Sequence, residues 1–250
     1  MRAAASTPLP CRSRAGASPL LRAVRAPLLA AALALLSAVP ARAGGLDPAV
    51  HRELAAPSGW ALHQRLEEQR LVVYARAMPS VGTTAYKGVL ELGPEVDLAR
   101  LWAAINRIDG HFAVGQSLAE SKVYARQGRS SQLYQVMRPP PLLPSSQRYW
   151  VLHAVEERDL AGVAGHHRRC WSILPPGEAA EVRAAIQQRH PDAMEVAMSH
   201  GCWELRPGSP ATLTYTAVSD PGGSVPASVA RALSARTLPD NMLSFVRAAR

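Results

Sequence analysis

From Thr212 to Val218, apolar Leu213, Tyr215 and Ala217 alternate with Thr212, Thr214, Thr216 and Val218. That period of two predicts a half-buried strand with one packed face. Asp220-Pro221-Gly222-Gly223 ends it, because paired glycines permit positive φ and a sharp turn. Pro226 suits the first turn of a helix, where its missing N–H costs nothing. Val229 and Leu233 lie four apart, and Leu238, Met242 and Val246 continue the apolar stripe. Pro239, inside that stripe, predicts a kink or a restart.

Upstream, Pro48 to Ala55 predicts a short helix within a lead-in over residues 44–57. Ser58 can cap a second helix that carries Leu62 and Leu66 four apart with charged residues between them. Leu71 to Arg76 and Tyr86 to Leu92 are β-branched and aromatic enough for strands. Asp97 to Ile108 places Leu98, Leu101, Trp102 and Ile105 on one helical face. Ser121 to Arg126 and Gln132 to Arg138 predict a hairpin, and Pro139 to Pro144 must leave the sheet, since proline donates no ladder hydrogen bond. Arg148 to Val155, His166 to Leu174 and Val196 to Arg206 predict three more strands, with a helix over Glu181 to Gln188. A turn over Pro207 to Pro210 leads into the final strand.

A strand, then Asp-Pro-Gly-Gly-x-x-Pro (Asp220 to Pro226), then a C-terminal helix ending in Phe245-Val246-Arg247 resembles the close of a START domain, the lipid-transfer module related to steroidogenic acute regulatory protein. Weaker agreement runs from about Gly59 to the end, including Tyr86-Lys87-Gly88 in the second strand. The resemblance implies a helix-grip, α+β fold: a curved antiparallel sheet wrapped around a long C-terminal helix, leaving an apolar tunnel. Such domains commonly carry Pro-x-x-Arg-Asp before a central strand. Arg148 fits that pattern, but Tyr149 stands in the aspartate position, which puts the family's local salt bridge in doubt. No basic tunnel residue carries over, since His153 and Ala154 supply no match.

Composition changes the picture mainly at the N-terminus. Residues 1–43 carry Arg2, Arg12, Arg14, Arg22, Arg25 and Arg42 without one acid, the apolar run Leu28 to Val39, and Ala41-Arg42-Ala43. This is the pattern of a secretory signal peptide cleaved after Ala43, and the apolar run is short of the about 20 residues needed to span a bilayer. The expected address is the periplasm. Of the 28 Lys+Arg in the 250-residue chain, 22 then remain against 19 Asp+Glu, a net +3 in place of +9. No basic run interleaved with aromatics suggests nucleic-acid binding.

Of the three cysteines, Cys11 leaves with the leader. Cys170-Trp171-Ser172-Ile173 and Cys202-Trp203-Glu204-Leu205 are parallel contexts. If the two strands pair antiparallel with Cys170 opposite Cys202, both sulfurs lie on the outer face and both tryptophans on the inner. A disulfide is then expected, two unpaired thiols being the alternative.

No H-E-x-x-H, C-x-x-C, G-x-S-x-G, G-x-x-x-x-G-K or G-x-G-x-x-G pattern is present, so no metal, no cofactor and no familiar catalytic elbow is expected. The adjacent His166 and His167 face opposite ways on a strand. What remains is an apolar interior. Its proposed lining is Trp150, Leu152, Trp171, Ile173, Trp203, Leu205, Leu213 and Tyr215 from strands, with Val229, Leu233 and Met242 from the final helix; indole N–H and tyrosine hydroxyl groups would be the polar tips. The same residues would equally fill a solid core; the START resemblance favours a cavity. The function expected is binding, with transfer as an extension, of a lipid or other hydrophobic molecule by a non-enzymatic monomer over 58–250 that touches membrane surfaces transiently. Two rivals stand beside it: a cyclase, aromatase or hydrolase using Tyr149, His153 or Tyr215 in the same cavity, and a ligand-free envelope interaction module.

Overall fold

The computed structural model describes residues 46–250 except 115–116, 139–146 and 224. The predicted leader and the run Pro139 to Pro144 lie outside the described residues. The strands are β1 (Ala61–Leu66), β2 (Leu71–Met78), β3 (Thr83–Leu92), β4 (Leu118–Gln127), β5 (Ser130–Met137), β6 (Arg148–Glu157), β7 (His167–Ile173), β8 (Met194–Glu195), β9 (Met198–Arg206) and β10 (Ala211–Asp220). The helices are α1 (Pro48–Ala55), α2 (Leu98–Asn106), α3 (His111–Val114), α4 (Ala180–Arg189) and α5 (Ala227–Ala248).

All ten strands join one sheet in the order β1-β2-β3-β10-β9-β7-β6-β5-β4, with β8 paired to β6 off that path. Pairing along the path is antiparallel, and β8 runs parallel to β6. The last strand is therefore central, and the helix that follows it turns back over the sheet. Gly222 and Gly223, at φ +66° and +67°, make that turn. Asp220 Oδ1 accepts from Gly222 N–H at 2.9 Å, and Arg148 Nε–H donates to the Pro221 carbonyl at 3.0 Å, which hooks the turn onto β6. The Asp-Pro-Gly-Gly motif thus sets where α5 starts.

The face beneath α5, called inner here, buries Leu71, Val73, Leu90, Trp203, Leu205 and Leu213 against Leu238, Met242, Phe245 and Val246 of α5 and against Leu101, Trp102 and Ile105 of α2. Removing each such side chain from water contributes about 1.5–3 kcal/mol. The outer face is covered twice. Ile186 of α4 packs on Tyr134, Val136, Tyr149 and Val151, and Val50 and Leu54 of α1 pack on Met78, Ala85 and Val218. The Cys170–Cys202 disulfide is formed on this outer face, with the two residues paired across β7 and β9.

Two expectations are corrected. The segment after Ser58 is not a helix: Ala61–Leu66 is edge strand β1, paired with Leu71–Ala75 of β2. Gly59 at φ +84° diverts the chain, and Arg70 in the left-handed region closes the hairpin. Cross-strand pairing with an already β-prone neighbour overrides the helical propensity of Leu62 to Glu68. Pro239 does not restart α5, which runs through it as one helix. Ala235 before the proline and Leu238 and Met242 around it pack on the same sheet, and that burial outweighs the lost hydrogen bond.

Candidate ligand-binding site

Alternation along β7, β9 and β10 brings Trp171, Trp203 and Tyr215 to the inner face, Trp203 directly opposite Tyr215 and Trp171 opposite Gly201, one inward position along. Tyr215 lies between the two indoles. Its ring centroid is 4.0 Å from that of Trp203 at 21° and 5.7 Å from that of Trp171 at 25°. Phe245 of α5 meets Trp203 edge-on at 5.4 Å, closing the stack from above. Leu205, Leu213 and Met242 are buried in the same cluster. Trp150, Leu152 and Ile173 join an adjoining cluster with Ile108 and Leu133, and Trp171 packs against both. Val229 and Leu233 are half-buried and are packed into neither.

The polar tips divide. Trp150 Nε1–H donates to Gln135 Oε1 at 3.0 Å and Trp171 Nε1–H to Ser199 Oγ at 3.2 Å, so both indoles are satisfied within the protein. The Tyr215 hydroxyl has no hydrogen-bond partner among the described residues, and the residue as a whole is half-buried. Burial pushes its pKa up to about 12, which keeps the phenol protonated and able both to donate and to accept. The ring, stacked against both indoles, packs on the cluster that α5 covers.

A pocket of about 690 Å³ opens on the β1 side of α5. His63, Gln64, Leu66 and Tyr86 line it from the sheet, and Arg231, Ala232, Ala235, Arg236, Pro239 and Asp240 from the helix. None of the eleven residues proposed from sequence lines this pocket. It is nevertheless continuous in packing with them, because Tyr86 and Ala235 belong to the cluster that holds Trp203 and Leu213. Its volume is within the about 300–1,000 Å³ of small-molecule sites.

Sequence reasoning missed a second polar set on the inner face. His111 of α3 donates Nε2–H to the Ile105 carbonyl at 2.9 Å and accepts at Nδ1 from Gln135 at 3.1 Å. Burial drives its pKa down to about 4, so it is neutral, and its ring meets Phe245 edge-on at 4.9 Å. Phe245 was within reach, standing three residues after Met242 on the apolar stripe; His111 and Gln135 had no local signal. The residues named for an enzymatic rival are separated. Tyr149 packs on the outer face beside α4, and His153, on the same side of β6, bonds Ser130 Oγ at 2.5 Å, whereas Tyr215 lies on the inner face.

No family model matches the chain, and no curated protein matches its sequence. Solved structures do match. The STAR-related lipid transfer protein from Xanthomonas axonopodis superposes with a TM-score of 0.62 at 18% identity, over 76% of this chain and 98% of that one. Human STARD10 gives 0.61 at 18% identity over 80% of this chain and 76% of its own, and human StAR-related lipid transfer protein 5 gives 0.61 at 12% over 80% and 90%. The fold is that of the STAR-related lipid transfer (START) domains. Its helix-grip arrangement is the one that the Asp220 to Pro226 motif implied, and in START terms α5 is the gripped helix and Trp171, Trp203 and Tyr215 stand on the face it covers.

Proposed function

We propose that this START-fold protein binds a lipid or similarly apolar molecule between α5 and the inner face of the sheet and carries it without chemically changing it. The observation that carries the reading is Tyr215: an aromatic ring held between two indoles, with a protonated hydroxyl that has no hydrogen-bond partner among the described residues. Stacked aromatic walls shield a hydrocarbon surface from water, at about 25 cal/mol per Å² buried, and one polar tip orients the ligand. The pocket on the β1 side of α5 supplies the route in, opened by local movement of the helix. The separation of Tyr149 and His153 from Tyr215 by the thickness of the sheet favours a carrier over an enzyme. The disulfide favours an exported protein in an oxidising compartment, in keeping with the leader-like N-terminus.

Titration with a fluorescent fatty-acyl probe, read as energy transfer from Trp171 and Trp203, tests this. Saturable one-to-one transfer is expected, weakened roughly two- to tenfold in Tyr215→Phe by loss of one hydrogen bond. Absence of saturable transfer with acyl, sterol and phospholipid probes alike overturns the reading.

A further inference from the structure

The outer face of β7 and β9 carries a cluster that ligand binding on the inner face does not use. Cys170 and Cys202 stand opposite one another with Cα atoms 4.0 Å apart. Helix α1 lays His51 against them, with Nδ1 3.7 Å from Cys202 Sγ and Nε2 3.0 Å from both the Trp171 carbonyl oxygen and Ser172 Oγ. A carbonyl only accepts, so Nε2 carries the ring proton and Nδ1 presents a lone pair to the sulfurs. Burial lowers the His51 pKa, which favours that neutral form. A disulfide sulfur has no proton to give, and Nδ1 has no other partner among the described residues. The lone pair is not there through a loose side chain, because Asp47 N–H also donates to Ser172 Oγ at 2.9 Å and fastens the start of α1 to β7.

We propose that Cys170, Cys202 and His51 form a redox-gated site for a borderline-soft cation of the zinc(II) class, closed while the disulfide stands and opened by a dithiol reductant. The His51 nitrogen and the two sulfurs already lie within 4.8 Å of one another. Zn–S bonds of about 2.3 Å and Zn–N bonds of about 2.1 Å reach three atoms so grouped by side-chain adjustment. Donation of the other imidazole N–H to a backbone carbonyl is the arrangement by which metal-binding histidines are commonly oriented. Cys202 is partly exposed and Cys170 buried, so the reductant's thiolate attacks Cys202. The S–S bond breaks, the reductant becomes a disulfide, and its two electrons and two protons pass to Cys170 and Cys202. Zinc(II) then displaces both thiol protons to solvent, forming two Zn–S bonds and one Zn–N bond with the fourth position left to water.

Cobalt(II) serves as the optical probe. The purified chain is reduced with a dithiol, freed of reductant without air, and titrated. One equivalent binding with a thiolate-to-cobalt charge-transfer band is expected for the reduced protein, and none for the oxidised protein. His51→Ala, which keeps both thiols, is expected to weaken binding by more than the about 10–100-fold that even an outer-shell partner supplies. Zinc(II) is expected to raise the melting temperature of the reduced wild type and not that of reduced His51→Ala, each folded by circular dichroism. Reduced protein that takes up no stoichiometric cobalt, or a His51→Ala variant that binds as tightly as wild type, overturns the proposal.

Discussion

Gly201 lies directly under the indole of Trp171. A Cβ at position 201 would stand 2.4 Å from Trp171 Cζ2 and 2.4 Å from the Thr216 carbonyl oxygen. The two residues are paired across β7 and β9, and the missing side chain is what lets the tryptophan lie flat toward Tyr215. Gly201→Ala is therefore expected to destabilise the fold by about 1–3 kcal/mol through overpacking. Near-ultraviolet circular dichroism, which reports the Trp171–Tyr215–Trp203 stack, should change while far-ultraviolet spectra do not; an unchanged near-ultraviolet spectrum and midpoint would show that Trp171 is not so held.

Gly88 does the same for the helix. A Cβ there would meet Met242 Sδ at 2.4 Å and Leu238 Cδ2 at 2.6 Å. Both neighbours are flexible side-chain ends, so Gly88→Ala is expected to cost toward the lower end of about 1–3 kcal/mol. Gly88→Val should lift α5 and speed exchange of its amide protons in hydrogen-exchange mass spectrometry, with β4 and β5 unaffected. Protection of α5 equal to wild type would sink this account of the close approach.

The disulfide closes a loop of 32 residues between neighbouring strands. Replacing both cysteines by serine is expected to lower stability by about 2–4 kcal/mol, most of it through a less restricted unfolded chain. Urea denaturation of the double variant and of oxidised wild type measures the difference. No shift in midpoint would mean that the bond adds nothing to stability.

Acid should loosen the structure through its buried histidines. His111 and His200 are each driven by burial from 6.5 to about 4. Their unfolded forms bind protons first as pH falls, so the stability they contribute is complete above about pH 6.5 and is lost between 6.5 and 4. In His111→Gln the decline of the urea midpoint across that window should be shallower than in wild type. Parallel curves for the two proteins would remove His111 from the explanation.

Sequence and structure part company where contacts are long-range. The strand faces were legible because alternation is a local signal: Trp171, Trp203 and Tyr215 share a face, and Cys170 and Cys202 share the other, as their spacing implied. The Asp220 to Pro226 turn was legible through its glycines and prolines. The segment from Ser58 to Leu66 was not, since its periodicity suits a helix and only pairing with β2 makes it a strand. That same strand forms a wall of the 690 Å³ pocket, so the error hid the pocket as well. Val229 and Leu233 were placed inward from a stripe that continues through Met242, but α5 turns its buried side through Ala235, Leu238, Met242 and Phe245. Only the direction in which the helix crosses the sheet fixes that choice. His51 meets the disulfide across 151 positions of sequence, a distance at which no local pattern speaks.

The central claim is that the protein binds an apolar ligand between α5 and the inner face of the sheet. Mass spectrometry of an organic extract from the protein, purified without detergent from the cells that make it, tests this most directly. The account predicts one hydrophobic compound in near-stoichiometric amount, absent from an extract of the Gly201→Ala variant prepared alongside. An extract with no bound compound, together with no uptake when lipids are supplied to the purified protein, would contradict it.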